Sequence, residues 1–147
     1  MPVADQQLSA LRAQIAGDEQ RFCRARTQLA DADMQSYELL LQTVLSLAAG
    51  RRFASGYSAS DVIQYAARVR AGTGERDEDM ALDPRSAEAT LRYALGQTVE
   101  YVKDPYTRLR CALALLTTLL IDLDLHDDEV DALLSDATSL ANRWLAE

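Results

Sequence analysis

Apolar residues recur along most of the chain at intervals of three and four positions, the spacing that places side chains on one face of an α-helix. The first such stripe extends from Ala4 to Leu29. Gly17 and Asp18 interrupt it, so it predicts either one long helix or two helices that meet there. The next apolar face, which would be the third if the first stripe is two helices, runs to about Gly50. It is formed by Tyr37, Leu40, Leu41, Val44 and Ala48.

The middle of the chain carries turn and loop signals between helices. Small residues from Ser55 to Ser60 predict a turn, and Ser58 with Asp61 three positions on resembles a capping box at a helix start. The next apolar face predicts inward-facing side chains at Val62, Ile63, Ala66 and Val69. Ala71 to Asp83 contains two glycines and a run of charges, so we predict a loop there.

Two Asp-Pro pairs predict further helix starts, because an acidic cap followed by proline suits the first helical turn. One helix begins after Asp83 with Ala87, Leu91, Ala94 and Leu95 on its inner face. It either stops near Gly96 or continues through Val99 and Val102. The second pair, Asp104-Pro105, begins a helix that extends to Leu123.

The segment from Pro105 to Leu123 is apolar on nearly all sides, which in a globular protein is typical of a buried central helix. A last helix is predicted from about Asp127 to Ala146. Its inner stripe consists of Val130, Leu133, Leu134, Ala137, Leu140, Ala141, Trp144 and Leu145. We therefore predict an all-α fold, a six- or seven-helix bundle with a central buried apolar helix, in a single domain spanning residues 1–147.

Composition narrows the classes of partner. The formal net charge is −8 and the sequence pI is near 4.6, so the overall field repels nucleic-acid phosphates and anionic membranes. We expect neither nucleic acid nor membrane as a partner. The polar N-terminus has no apolar signal segment, and the longest apolar run falls short of the ~20 residues of a membrane span. The sequence favours a cytoplasmic protein.

The most unusual stretch is acidic and lies between the last two predicted helices. Asp122, Asp124, Asp128 and Glu129 surround the only histidine, His126, and clustered carboxylates suit a hard divalent cation. An EF-hand loop does not fit, because Asp127 and Leu133 stand where a glycine and a closing glutamate are needed. The structural alternative is that the charges after His126 stabilise the start of the final helix.

One stretch of the chain resembles the second half of TerB-like domains. It begins at Lys103-Asp104-Pro105, continues through the apolar helix and ends with the acidic run Asp-Leu-Asp-Leu-His-Asp-Asp-Glu. Members of that family are helical, are linked to tellurite resistance and stress, and carry acidic metal-binding junctions. The resemblance covers about a third of the chain. It implies metal-binding roles for Asp122, which matches the family's aspartate, and Glu129, which matches its glutamate. Leu123 replaces the family's glycine, and the region from Ala49 to Asp61 lacks the aspartate of a first-half junction.

A second candidate site is basic and consists of Arg51, Arg52, Arg68 and Arg70. With the helix that follows Ser58, it could imitate a helix-turn-helix reader of DNA. The connection between the flanking helices is longer than that motif's three- or four-residue turn. A solvated helix face is the alternative, with its arginines paired to nearby acids.

No catalytic constellation is recognisable, because the single histidine precludes a histidine metal triad and no serine lies in a nucleophile elbow. We expect no catalytic residues and no cofactor other than a divalent cation. The leading hypothesis is a non-enzymatic interaction or regulatory protein that associates with itself as a homodimer. The alternatives are a metal-responsive TerB-like stress domain, a DNA-binding regulator, and an enzyme of an unfamiliar kind.

Overall fold

Helix-forming segments and their caps make up most of the structure. The computed structural model describes residues 5–15, 31–76, 82–97, 99 and 102–146. Within these ranges the chain forms six α-helices and no strand. Their bounds are α1 Asp5–Ile15, α2 Asp31–Arg52, α3 Ala59–Arg76, α4 Pro84–Ala94, α5 Pro105–Asp122 and α6 Asp127–Ala146. The prediction of an all-α fold is confirmed, whereas the predicted break at Gly17-Asp18 lies outside the described residues.

The predicted helix starts are confirmed in atomic detail. The Asp83 side chain accepts a hydrogen bond from the backbone N–H of Ser86 at 2.9 Å, and Asp104 accepts one from Thr107 at 3.2 Å. A proline follows each aspartate in the first turn. Such caps satisfy backbone donors that have no partner within the helix.

The capping box at the start of α3 is also confirmed. The backbone N–H of Ser58 donates to Asp61 Oδ2 at 2.8 Å, and the N–H of Asp61 donates to Ser58 Oγ at 3.2 Å. Each side chain therefore satisfies the other residue's backbone donor. The reciprocal pair fixes the direction in which α3 leaves the preceding turn.

The chain divides into two compact units. The first contains α1, α2 up to Val44, and α6 from the segment that begins at Leu125. Its buried apolar residues are Ala10, Leu11, Ala13, Tyr37, Leu40, Leu41, Val44, Leu133, Leu134, Ala137 and Ala141. Within this unit Arg12 of α1 pairs with Asp131 of α6 at 3.3 Å. The prediction of one domain over residues 1–147 stays a prediction.

The second unit, Leu45–Asp124, contains the end of α2 with α3, α4 and α5. Helices α3, α4 and α5 contact one another in all three pairings. The buried residues of α5 are Cys111, Ala112, Leu115, Leu116, Leu119 and Leu120. The expectation of a buried apolar helix at this position is confirmed. Ile121, at its last turn, is 69% exposed.

Several local expectations were wrong. Residues 71–76 belong to α3 and not to a loop, because the helix tolerates Gly72 and Gly74 and continues to Arg76. Ile63 is 49% exposed, since Tyr65 takes the inward position in that turn of α3. At the end of α6, Trp144 and Leu145 are exposed and do not extend the inner stripe.

The sequence left open whether α4 stops near Gly96 or continues, and the structure shows where it ends. The helix stops at Ala94, and Gly96 adopts φ +84°, a left-handed conformation that glycine reaches without steric cost. The N–H of Gln97 then donates to the carbonyl of Arg92 at 3.0 Å. The helix does not continue toward Val99.

None of the described helices combines the length and the apolar character needed to cross a membrane.

Candidate functional site

Arginine and aromatic side chains lie close together around the turn between α2 and α3, in the second unit. Phe53 contacts Tyr57 and Tyr65 edge to face, with a ring-centroid distance of 5.5 Å in each pair. Arg52 and Arg68 lie over these rings. We call Arg52, Phe53, Tyr57, Tyr65 and Arg68 the arginine–aromatic cluster.

The turn between the helices brings the cluster together. The N–H of Phe53 still donates to Ala49 at 3.0 Å, and the N–H of Gly56 donates to Phe53 at 3.1 Å, which reverses the chain. Gly56 has φ +99°, a conformation that L side chains rarely adopt. The capping box then directs α3 so that Tyr65 contacts Phe53.

The two guanidinium groups are oriented by the rings beneath them. The Arg52 Cζ atom lies 5.3 Å from the Phe53 centroid and 5.5 Å from that of Tyr65. The Arg68 Cζ atom lies 4.9 Å from the Tyr65 centroid. These are cation–π distances, which stabilise an exposed cation by about 0.5–1 kcal/mol. Both guanidinium groups therefore contact the buried ring of Tyr65, and the side of each group that faces away from the ring can still bind a partner.

Asp122, at the end of α5, completes the arrangement. The Tyr65 hydroxyl donates to Asp122 Oδ2 at 2.8 Å, and Arg68 Nη2 pairs with the same oxygen. Burial, followed by this contact with Asp122, raises the pKa of the Tyr65 hydroxyl. The carboxylate thus joins the C-terminal end of α5 to α3.

The four residues predicted to bind a metal have distinct surroundings. Asp122 is engaged by Tyr65 and Arg68 as described. Asp124 occupies a turn with φ +51°. Glu129 Oε1 accepts a hydrogen bond from the backbone N–H of His126 at 3.2 Å, which caps α6. Asp128 is exposed in the first turn of α6.

These contacts disfavour the metal hypothesis but do not test it. Across the described ranges, no three His, Cys, Asp or Glu side chains come together in a group that could hold a metal ion. A cation at Asp122 would compete with the guanidinium of Arg68 for the same oxygen. Divalent-cation binding at this junction stays a prediction.

The predicted basic patch is divided by the structure. Arg52 and Arg68 belong to the arginine–aromatic cluster, and Arg51, the neighbour of Arg52 in sequence, is exposed in the last turn of α2. Arg70 instead donates from Nε to the backbone carbonyl of Leu82 at 3.0 Å, so it ties α3 to the segment before α4.

The sequence predicts the arginines but does not identify their aromatic partners. Tyr65 and Arg68 are three positions apart, which places them on the same helix surface. That spacing was a usable signal. The contact with Phe53 depends on the turn geometry, and the contact with Asp122 joins positions 57 residues apart, so neither follows from local periodicity.

The surface of α6 is acidic on one side. Leu133, Leu134 and Ala137 are buried, and the helical spacing places the exposed Asp128, Asp131 and Asp136 on the opposite side. We call these three aspartates the acidic face of α6. Of the three, Asp131 pairs with Arg12 within the same unit.

Comparison with known proteins gives no relative: no family model, no curated protein and no solved structure matches this chain. The resemblance to TerB-like domains therefore stays a prediction.

Proposed function

We propose that this protein is a non-enzymatic interaction protein that associates with itself as a homodimer. The observation that carries the proposal is the apolar end of α6. Trp144 and Leu145 are consecutive residues in its last turn and are 48% and 38% exposed. Tryptophan is among the residue types most enriched at the energetic centres of protein interfaces.

The exposure of Trp144 has a physical cost that association would remove. A large aromatic side chain buries roughly 150–250 Å² when it is fully covered, and each Å² of apolar surface removed from water contributes about 25 cal/mol. Single exposed apolar residues elsewhere, such as Tyr93 on α4, are ordinary for a protein surface. Two adjacent ones at a helix end provide a larger area for a second chain.

The test is the mass of the protein in solution. Multi-angle light scattering of the wild-type chain is expected to give twice the mass of 16.2 kDa. Replacement of Trp144 by Gln should raise the dissociation constant of the dimer at least tenfold, because a residue at the energetic centre of an interface contributes about 2 kcal/mol. The matched control is Tyr93→Gln, which removes an exposed aromatic ring from α4. A wild-type protein that remains a monomer at high concentration refutes self-association.

The metal-responsive alternative has a separate test. Calorimetric titration with calcium, magnesium and manganese should release heat if the junction binds a divalent cation. The double variant Asp122→Ala with Asp124→Ala should abolish that heat. An absence of heat in the wild-type protein ends the metal hypothesis and leaves the proposal of self-association untouched.

A further inference from the structure

We infer that the arginines around the arginine–aromatic cluster bind the acidic face of α6 from a second copy of the chain. This inference rests on the proposed self-association and names the surfaces that meet. Arg52 and Arg68, with Arg51 next to Arg52 in sequence, supply the positive charge, and Asp128, Asp131 and Asp136 of the other copy supply the acidic complement; we call the three arginines the basic surface.

The basic surface is arranged in advance to bind carboxylates. Arg52 and Arg68 are held over the rings of Phe53 and Tyr65, so their guanidinium groups lose less side-chain freedom on binding than unsupported arginines would. The Arg68 side chain remains 58% exposed even though it pairs with Asp122. Arg51 and Arg52 are exposed as well. Guanidinium groups bind carboxylates with two parallel hydrogen bonds, which adds direction to the charge attraction.

The charge of the whole chain favours this choice of partner surface. Two molecules that each carry a net charge of −8 repel one another at long range. A dimer therefore gains most where a local positive surface of one copy meets a negative surface of the other. The acidic face of α6 presents three exposed carboxylates on one helix.

The position of the acidic face also agrees with the proposed function. Asp136 lies about two helical turns before Trp144 on α6, so the two proposed contact regions belong to one helix, with the aspartates on the side opposite the stripe whose spacing Trp144 follows. Each copy carries both the basic and the acidic surface. A two-fold dimer would form the contact twice and would close without leaving an open end.

The first experiment reverses the basic charge. In the variant Arg51→Glu with Arg52→Glu, the pair between Arg68 and Asp122 is left in place. Sedimentation equilibrium should show a dimer dissociation constant at least tenfold higher than in the wild type, because like charges then face each other. Arg51→Gln with Arg52→Gln should give a smaller increase. The control Arg85→Glu, a single charge reversal at an exposed site in the first turn of α4, should leave the constant unchanged.

The second experiment restores the contact between two different chains. Asp128→Arg with Asp136→Arg should weaken the dimer by a similar factor. A one-to-one mixture of this variant with the Arg51→Glu, Arg52→Glu variant should form a heterodimer of near wild-type affinity, since every surface again meets its opposite. Circular dichroism of each variant confirms that the helices are retained.

The outcomes separate the inference from the proposal on which it rests. A wild-type dimer whose affinity is unchanged by reversing Arg51 and Arg52 overturns the inference and leaves self-association standing. Weakening by the arginine variant without rescue in the mixture also overturns it, because the occupant is then not the acidic face of α6. A monomeric wild type removes both.

Discussion

At the scale of single residues, the turn after α5 is defined by the conformations of Leu123 and Asp124. The TerB-like pattern places a glycine at position 123, where this chain has Leu123. In the structure Leu123 has ordinary helical angles, with φ −77° and ψ −11°, and the left-handed residue is Asp124 at φ +51°. The N–H of Asp124 donates to the Ile121 carbonyl at 3.0 Å and so closes the last turn of the helix. The left-handed position at this helix end thus lies one residue beyond the glycine of the TerB-like pattern.

This shift gives a prediction with an internal control. Asp124→Gly should raise the free energy of unfolding by about 0.5–1 kcal/mol, because glycine adopts a left-handed conformation without the steric cost borne by other residues. Leu123→Gly should lower it, since glycine adds flexibility where none is required. Urea denaturation of both variants measures the difference. Stabilisation by glycine at 123 and not at 124 would contradict the described turn.

Cys111 gives a pH dependence at the same scale. The thiol is buried in α5, and burial raises its pKa from 9.0 to about 11. Below the lower value the thiol is protonated in both folded and unfolded chains. As the pH rises from 9.0 toward about 11, the unfolded chain releases its proton first, so the free energy of unfolding falls.

The corresponding measurement compares the wild type with Cys111→Ala. Denaturation at about pH 8 and about pH 10 should show a larger loss of stability in the wild type, because only that protein gains the Cys111 thiolate on unfolding, while Cys23 is common to both proteins. Each protein is compared with itself at the two pH values, so a lower overall stability of the alanine variant does not affect the comparison. Equal losses in the two proteins would show that the thiol is not desolvated.

At the scale of helices, sequence and structure agree best where a start signal is local. The cap residues Asp83, Asp104 and Ser58 were identified because each forms its hydrogen bond three positions along the chain. Helix ends were harder to predict. The glycines at 72 and 74 suggested a loop, yet α3 continues to Arg76 because glycine weakens a helix by only about 1 kcal/mol relative to alanine.

The extension of α3 can be tested by filling a glycine position. Gly72 lies within the helix, and a Cβ atom there would meet nothing within 4 Å. Gly72→Ala should therefore raise the free energy of unfolding by about 0.5–1 kcal/mol. The control is Gly56→Ala, where the space is equally open but φ is +99°, so that variant should be destabilised. A neutral or negative effect at position 72 would indicate a loop, as the sequence alone suggested.

At the scale of the whole molecule, charge and apolar pattern predicted the fold class but only part of the candidate site. The arginines and the acidic residues were visible as sequence clusters, and the structure separates Arg70 from Arg52 and Arg68. The role of Asp122 as an anchor for Tyr65 and Arg68 depends on packing between α3 and α5. Periodicity reports only which side of a helix is apolar, so it cannot identify the residues that meet across two helices.

The exposed end of α6 shows the same limit. Trp144 and Leu145 fit the spacing of the inner stripe, which predicted that they would be buried. The structure leaves them exposed at the end of the helix. Their apolar pattern is equally compatible with burial against a second chain, and this alternative underlies the proposed function.

Trp144 is the only tryptophan of the chain, so intrinsic fluorescence tests the central claim directly. If two copies associate through the end of α6, the Trp144 emission maximum should move to longer wavelength as the wild-type protein is diluted, because the ring returns to water. The midpoint of that shift should coincide with the dissociation of the dimer seen by sedimentation. An emission maximum that stays constant while the dimer dissociates would show that Trp144 does not lie in the interface and would contradict the account.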